Sequence, residues 1–269
     1  FTRWLVTNHR LAFDPLAGVK MLNTNTDRRR ERRDVDDDEL EALLRTARER
    51  EAVTIEKRYK RKVGPNKGEI RRGTRTHRIP RRDLLYLLAA STGLRFGEIK
   101  SLTPRSFDLK SDPPSVTVEA AYSKRRRRDA QPLRRDVADA LRPLLDATRP
   151  GAPLWPKLPD EMGKVIAEDL KAAGIPVRDD AGRVVDFHAL RHTFITRLAR
   201  SGVTPKVAQA LARHSTITLT MDRYAHVALA DTSKALAALP AIAVSEKAHA
   251  EPAAHAAATG TNDAIPTTA

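Results

Sequence analysis

Apolar positions along the chain recur at helical spacing in short segments separated by Gly and Pro. The leucines within residues 40–44 lie on one face of a predicted helix, and the acidic residues 36–39 suit its N-terminus. Residues 84–92 are almost entirely apolar and end at Gly93, a favourable helix-ending residue. This run therefore predicts a buried helix.

The same periodicity predicts a second helix directly after Gly93, ended by Pro104, and several further helices. These lie near residues 136–147, 160–173, 187–201 and 205–213, with a short helix after the turn that precedes Tyr224.

Two short strands, residues 115–122 and 130–133, flank a basic turn and predict a small antiparallel sheet. Residues 56–82 are basic and contain Gly, which predicts a hairpin or a mobile loop; a solvated insertion and a DNA contact both remain open. The expected fold class is mainly α with a small antiparallel β-sheet (α+β).

Domain boundaries are expected where this periodicity stops. Residues 1–22 resemble the last helix and exit segment of a preceding domain, and the start at Phe1 leads us to expect a missing N-terminal part. Residues 23–34 are charged without apolar periodicity and predict an exposed linker. Residues 35–239 form the main predicted domain, and residues 240–269, rich in Ala, Thr and Pro, a disordered tail.

The net charge of +15 and pI near 10.4 favour a polyanionic partner. Ribosomal and other RNA-binding proteins share this balance, but 4% aromatic residues are few for base-stacking platforms, so duplex DNA held by its phosphates is favoured. No apolar run approaches the roughly 20 residues that span a bilayer. With no visible signal peptide and no cysteine, the cytoplasm is the expected location.

Several kinds of catalytic site are excluded by missing motifs. The chain has no phosphate-binding P-loop, no Gly-rich dinucleotide turn and no cysteine nucleophile. Its acidic cluster at residues 36–39 is better explained as charge at a helix start than as a two-metal centre.

His188 and His192 are four residues apart, the spacing of two zinc ligands on a helix. However, a zinc protease would carry Glu where Ala189 stands, and Arg191 would repel a metal ion. An arginine beside a phosphate instead forms a bidentate pair. Phosphate is therefore favoured over zinc, and a purely structural histidine stays open.

Arg95 follows Gly93 at a bend between apolar segments, which calls for a buried anionic partner; Glu98 is one candidate. At this point the chain resembles the tyrosine recombinases, the phage-integrase family. The resemblance covers roughly residues 34–239, and residues 1–22 resemble the C-terminal remnant of that family's core-binding domain. It rests on the contexts TGLR-x-x-EI-x-x-L, H-x-LRHT and RHS-x-I-x-x-T-x-x-x-Y-x-H, and on the ordered series Arg95, Lys124, His188, Arg191, His214 and Tyr224.

The resemblance implies that Tyr224 attacks a DNA phosphodiester and forms a 3′-phosphotyrosyl link, which conserves bond energy without ATP. His188 would accept the tyrosine proton, and Lys124 would protonate the departing 5′-oxygen.

Arg95 and Arg191 would grip the non-bridging oxygens of the transition state, with a hydrogen bond from His214. Two fixed cations would then take the place of a metal, and no metal or cofactor is expected.

Further DNA contacts are expected from basic residues near the site, namely Arg125, Arg126, Arg127, Arg128 and Arg213. Arg213 stands where the family often has Gly. Tyr86, Tyr122 and Tyr59 suit a nucleophile less well than Tyr224 because they fall in an apolar helix, a strand and the basic insertion. His192 is expected to support the site or the core, and His226 has no assigned role.

The implied function is a site-specific recombinase or integrase, acting as a nucleoid-associated homotetramer on paired sites in double-stranded DNA. Accessory DNA-bending proteins would be compatible with it. Two alternatives remain: a type IB topoisomerase, which would more often carry Lys in place of His188, and an integrase-derived DNA-binding protein inactivated by truncation.

Overall fold

The fold is built around α3 (Arg82–Thr92), a helix whose side chains are buried on nearly every side. Leu85, Tyr86 and Leu88 have no exposed surface. A helix that is apolar all round has no face for solvent, so other elements must enclose it. In the computed structural model, which describes residues 1–19, 31–60, 65, 68–123 and 126–225, α3 is surrounded by three amphipathic helices. These are α2 (Asp37–Glu49), α5 (Arg135–Ala147) and α7 (Ala189–Arg200).

The remaining helices are shorter and connect this centre to the candidate site. They are α1 (Thr2–Thr7), α4 (Phe96–Lys100), α6 (Met162–Ala172) and α8 (Pro205–Ala212), and residues 218–225 are also helical. Each helix predicted from the apolar periodicity is present, with its ends shifted by one or two residues in most cases. None of the described helices is long and apolar enough to cross a membrane.

Two antiparallel sheets complete the described part of the fold. Strands β1 (Ala52–Lys60) and β2 (Ile70–Arg78) form a hairpin paired along its full length, and only its base, at Val53 and Ile55, is buried. The sequence left open a hairpin or a loop in this region, and a hairpin is present.

The second sheet has the order β3 (Phe107–Asp108), β4 (Ser115–Val118) and β5 (Asp129–Pro132). The sequence predicted β4 and β5 but not β3, because two residues are too few to show alternation. The predicted fold class, mainly α with small antiparallel sheets, is confirmed.

A buried ion network joins three of these elements. Asp169 of α6 is fully buried and accepts hydrogen bonds from Arg82 (Nε, 2.6 Å), Tyr86 (Oη, 2.8 Å) and Arg50 (Nη1, 3.0 Å). Arg82 is also fully buried. Removing the carboxylate would leave a buried guanidinium uncompensated, and that costs far more than the intact pair contributes.

We expect Asp169→Asn to lower the free energy of unfolding by about 3–5 kcal/mol, because it leaves Arg82 without its buried counter-ion. Urea unfolding followed by circular dichroism measures this change. The matched control is Asp160→Asn, whose 94% exposed side chain pairs with Lys100, and it should cost less than about 1 kcal/mol. Equal costs for the two variants would contradict the assigned role of the network.

Candidate functional site

The bend that presents Arg95 is created by Gly93. Its φ of +62° ends α3 in the left-handed region, and a Cβ at this position would lie 2.6 Å from Cδ1 of Phe194. Both features require glycine. The chain therefore turns sharply, and Arg95 becomes the residue that precedes α4.

Glu98 is the anionic partner of Arg95 that the sequence left open. Its carboxylate accepts from the Arg95 main-chain N–H at 2.7 Å and from Nη1 of Arg95 at 3.1 Å. The same carboxylate accepts from Nη2 of Arg213 at 2.6 Å. Glu98 is only 2% exposed, so two arginines converge on a single buried carboxylate.

Arg191 connects the ends of two helices to this cluster. It is 3% exposed, and its two Nη atoms donate to the main-chain oxygens of Gly93 and Ala212. Burial, followed by the charges of Arg95 and Arg213, lowers the pKa of Arg191 to about 9. Burial makes the largest contribution to this lowered pKa, and the repulsion by Arg95 and Arg213 adds to it; a bound anion would relieve that repulsion.

The start of α7 is held by Asp186 and Arg32. One oxygen of Asp186 accepts from the main-chain N–H groups of His188 (3.0 Å) and Ala189 (3.1 Å), and Nε of Arg32 donates to both carboxylate oxygens at 2.8–2.9 Å. Val35 adds a buried bond from its N–H to Oγ1 of Thr193 at 2.9 Å. The segment around residues 32–35 therefore fixes the helix that carries His188 and Arg191.

His188 and His192 contact each other as an edge-to-face ring pair with centroids 5.2 Å apart. Desolvation, followed by the charges of Arg32 and Arg191, lowers the pKa of the exposed His188 to about 4. The pKa of His192 falls to about 2, chiefly through desolvation and the charge of Arg223. Among the described residues, no three His, Asp or Glu side chains form a group suited to a metal ion.

His214 lies just beyond α8, where its Nδ1 forms a 2.9 Å hydrogen bond with Oγ1 of the buried Thr220. Desolvation, followed by the charges of Arg191 and Arg95, lowers the pKa of His214 to about 4. The same two arginines also depress the pKa of His188. Four of the six predicted catalytic side chains, from three distant segments, therefore share one positive environment.

The hydroxyl of Tyr224 is bonded outside this group. It donates to the main-chain oxygen of Val203 at 2.5 Å, and burial alone raises its pKa. Tyr86 is fully buried on Asp169, whereas Tyr59 and Tyr122 are 50% and 60% exposed on other elements. The structure does not bring Tyr224 into hydrogen-bond contact with the arginine cluster.

The predicted DNA-contacting arginines fall into two groups. Arg126, Arg127 and Arg128 are exposed in the turn before β5, whereas Arg213 is 5% exposed and faces Glu98. Lys124, Arg125 and His226 lie outside the described residues. The DNA contacts of all these arginines stay predictions.

An open cavity of about 500 Å³ lies between β5 and α8. Its lining includes Arg127, Gln131, Lys206, Arg213 and His214. One predicted catalytic residue, His214, and two predicted DNA contacts, Arg127 and Arg213, thus border a space with a positive rim.

The residues that support the site have weak signals in the sequence. Arg32 falls in the predicted exposed linker, but it is half-buried on Asp186. The only local signal was Asp186 itself, an acidic residue two positions before His188, where it can accept from the first N–H groups of a helix. Thr220 was visible only as a position in the motif before Tyr224, and its contact with His214 needs the turn between them.

Comparison with known proteins adds independent findings. The model of the phage integrase family matches residues 74–230. A tyrosine recombinase XerC-like protein of Caldanaerobacter subterraneus subsp. tengcongensis is 39% identical over 64 residues, which is 24% of this chain and 15% of that protein.

Solved structures share the fold at low identity. The XerH site-specific recombinase bound to palindromic difH substrate matches 83% of this chain and 57% of its own, at 18% identity and a TM-score of 0.52. The XerA recombinase matches 86% of this chain and 71% of its own, at 17% identity and a TM-score of 0.52. The chain therefore spans little more than half of the XerH protein.

The depressed pKa of His192 predicts that acid destabilises the protein. As the pH is lowered from 6.5 to 5, His192 takes up a proton in the unfolded chain but not in the folded protein. The free energy of unfolding therefore decreases over this range, by about 1–2 kcal/mol from this residue. His192→Asn should therefore show a flatter dependence than the wild-type chain, measured by urea unfolding at each pH. His9→Asn, at an exposed position, is the control. A His192→Asn curve parallel to wild type would contradict the prediction.

Proposed function

The chain belongs to the phage integrase family, whose model spans more than half of its length, and on that premise we propose that it is a site-specific DNA recombinase. In this proposal Tyr224 cleaves a strand through a 3′-phosphotyrosyl intermediate, and a second strand attacks that intermediate to complete exchange. Because the chain covers only part of the length of its relatives, we propose this activity for the chain together with any further segments that those relatives contain.

The observation that carries the proposal is the excess of positive charge around Glu98. Arg95 and Arg213 bond to one buried carboxylate, and their charges also act on the buried Arg191. His188 and His214, whose pKa values are both lowered, lie in the same field. Attack on a phosphodiester adds negative charge to the non-bridging oxygens. Each guanidinium about 4 Å from that charge contributes roughly 4 kcal/mol at an effective dielectric near 20. The cluster supplies such stabilisation without a metal.

The depressed pKa values of His188 and His214 suit two different steps. In the tautomer in which Nδ1 of His214 accepts from the Thr220 hydroxyl, Nε2 carries the ring proton and can donate to a phosphate oxygen. His188 is neutral at pH 7 and can accept a proton. A bound phosphodiester would raise its pKa by adding negative charge, which would make it a stronger base at the moment of attack.

Tyr224 must leave the Val203 oxygen before it can attack. The hydrogen bond and the raised pKa keep its hydroxyl protonated and unreactive in the free protein. In our proposal DNA binding shifts the helix of residues 218–225, and His188 then takes the proton. The leaving 5′-oxygen would receive its proton from Lys124, a role that rests on the family motif.

Two surfaces support duplex DNA as the partner. The first is the cavity rim with Arg127 and Lys206, beside His214. The second is the β1–β2 hairpin, where Arg58 and Arg72 are directly opposite each other and exposed. Like charges in opposite positions destabilise a hairpin unless an anion lies between them. A homotetramer on paired sites, accessory DNA-bending proteins and nucleoid association stay predictions.

We expect the chain to form a covalent adduct with nicked suicide duplexes whose flanks carry a randomised sequence. The adduct should survive denaturation, form in the presence of EDTA, and disappear in Tyr224→Phe because the nucleophilic oxygen is removed. Denaturing gels of end-labelled DNA measure it. Tyr122→Phe, which removes an exposed hydroxyl, is the matched control and should retain the adduct.

The other outcomes separate the alternatives. An adduct accompanied by relaxation of any supercoiled plasmid, but without strand exchange, would favour a type IB topoisomerase. DNA binding without an adduct would favour an inactive integrase-derived DNA-binding protein. A requirement for a divalent ion in the cleavage step would contradict the two-arginine mechanism.

The hairpin yields a separate prediction about DNA affinity. Arg58→Glu with Arg72→Glu should weaken binding of a 30-base-pair duplex and reduce the slope of log K against log salt by about 2, because two phosphate contacts are lost. Fluorescence anisotropy at several salt concentrations measures the slope. The charge-matched control is Arg142→Glu with Arg149→Glu on and beside α5. An equal change in the two double variants would show that the hairpin makes no special contact.

A further inference from the structure

Arg213 has an unusual backbone for an arginine. It follows α8 with φ +52° and ψ +44°, in the left-handed region. A residue with a Cβ costs about 1 kcal/mol or more in this region, and glycine is the usual choice. Placing an arginine here therefore has a backbone cost that a favourable contact of its side chain would offset.

That interaction is the buried contact with Glu98. Nη2 of Arg213 donates to Oε2 of Glu98 at 2.6 Å, and both side chains are at most 5% exposed. The contact joins the end of α8 to the start of α4, 115 positions apart. Within the described residues, Nε and Nη1 of Arg213 are buried and have no hydrogen-bond partner. The contact of Nη2 with Glu98 is therefore the interaction that compensates for burying this guanidinium.

The consequence concerns Arg95. Glu98 accepts from Arg95 through the other carboxylate oxygen, Oε1. Without Arg213 the full charge of Glu98 would act on Arg95 alone and would oppose a phosphate at the same place. With Arg213 bound, Glu98 is already neutralised, so the charges of Arg95 and Arg191 remain available to an anion.

We propose that Arg213 is a positioning residue: by occupying Glu98 it keeps Arg95 and Arg191 electrostatically available to the phosphate, without touching the phosphate itself. This inference deepens the proposed function and rests on it only for the cleavage measurement. A residue that served stability alone would anchor α8 to α4 but would not alter the charge that an anion meets.

The variants that separate these roles are Arg213→Gly and the double variant Arg213→Gly with Glu98→Gln. Glycine suits the left-handed backbone, so the single variant removes the side chain without adding strain. It leaves the Glu98 charge uncompensated. The double variant also removes that charge while keeping a side chain of the same shape.

The first measurement needs no catalysis: binding of inorganic phosphate to the full chain by isothermal titration calorimetry. We expect Arg213→Gly to bind phosphate at least about tenfold more weakly than wild type, and the double variant to recover most of that loss, because one uncompensated charge nearby is worth tenfold or more. Unchanged affinity in the single variant, or an equal loss in the double variant, would overturn the inference.

The second measurement uses nicked suicide duplexes with a normal phosphate or an uncharged methylphosphonate at the cleavage position. In Arg213→Gly, the cleavage rate on the normal phosphate should fall more than the rate on the methylphosphonate. The double variant should restore the wild-type ratio of the two rates. An equal loss on both substrates would indicate a structural role and overturn the inference. If wild type cleaves neither substrate, the recombinase proposal fails, and phosphate binding alone decides the role of Arg213.

Discussion

The site depends on a single buried carboxylate surrounded by arginines. Glu98 binds Arg95 and Arg213, and burial, followed by the charges of these two arginines, lowers the pKa of Arg191 beside them. Burying like charges together is unfavourable, so the surrounding fold must hold the cluster in place. The excess positive charge that this leaves is the property by which the pocket can recognise an anion.

The same side chains that carry the charge also join the elements. Arg191 donates to the main-chain oxygens that end α3 and α8, and Arg213 joins α8 to α4. Arg32 and Val35 then fix the start of α7 from the segment that precedes the main helices. The same contacts therefore hold the fold together and place the charges of the candidate site. The Asp169 network also joins several elements, but it includes none of the predicted site residues.

Tyr224 is the exception within this arrangement. Its hydroxyl is bound to Val203, in the connection between α7 and α8, while the arginines and histidines already share one field. If Tyr224 is the nucleophile, its bond to Val203 would prevent unproductive reaction in the DNA-free protein. In the proposed mechanism, the energy of DNA binding would bring the two parts together.

The sequence by itself determined the local features. Apolar periodicity predicted α2, α3 and the later helices, and Gly93 marked the end of α3. These predictions are confirmed because helix faces and helix ends depend on residues a few positions apart. The ordered motifs predicted Arg95, Arg191, His188 and His214 as site residues before their shared environment was visible.

Only the tertiary structure decided which side chains meet. The partner of Arg213 lies 115 positions away, and that of Arg32 lies 154 positions away, so no local pattern encodes either pair. The resting partner of Tyr224, the main-chain oxygen of Val203, was hidden for the same reason. The strand β3 was missed because two residues are too few to show alternation. The contacts of Arg213, Arg32 and Tyr224 depend on how the helices pack around α3, and packing is a property of the whole chain.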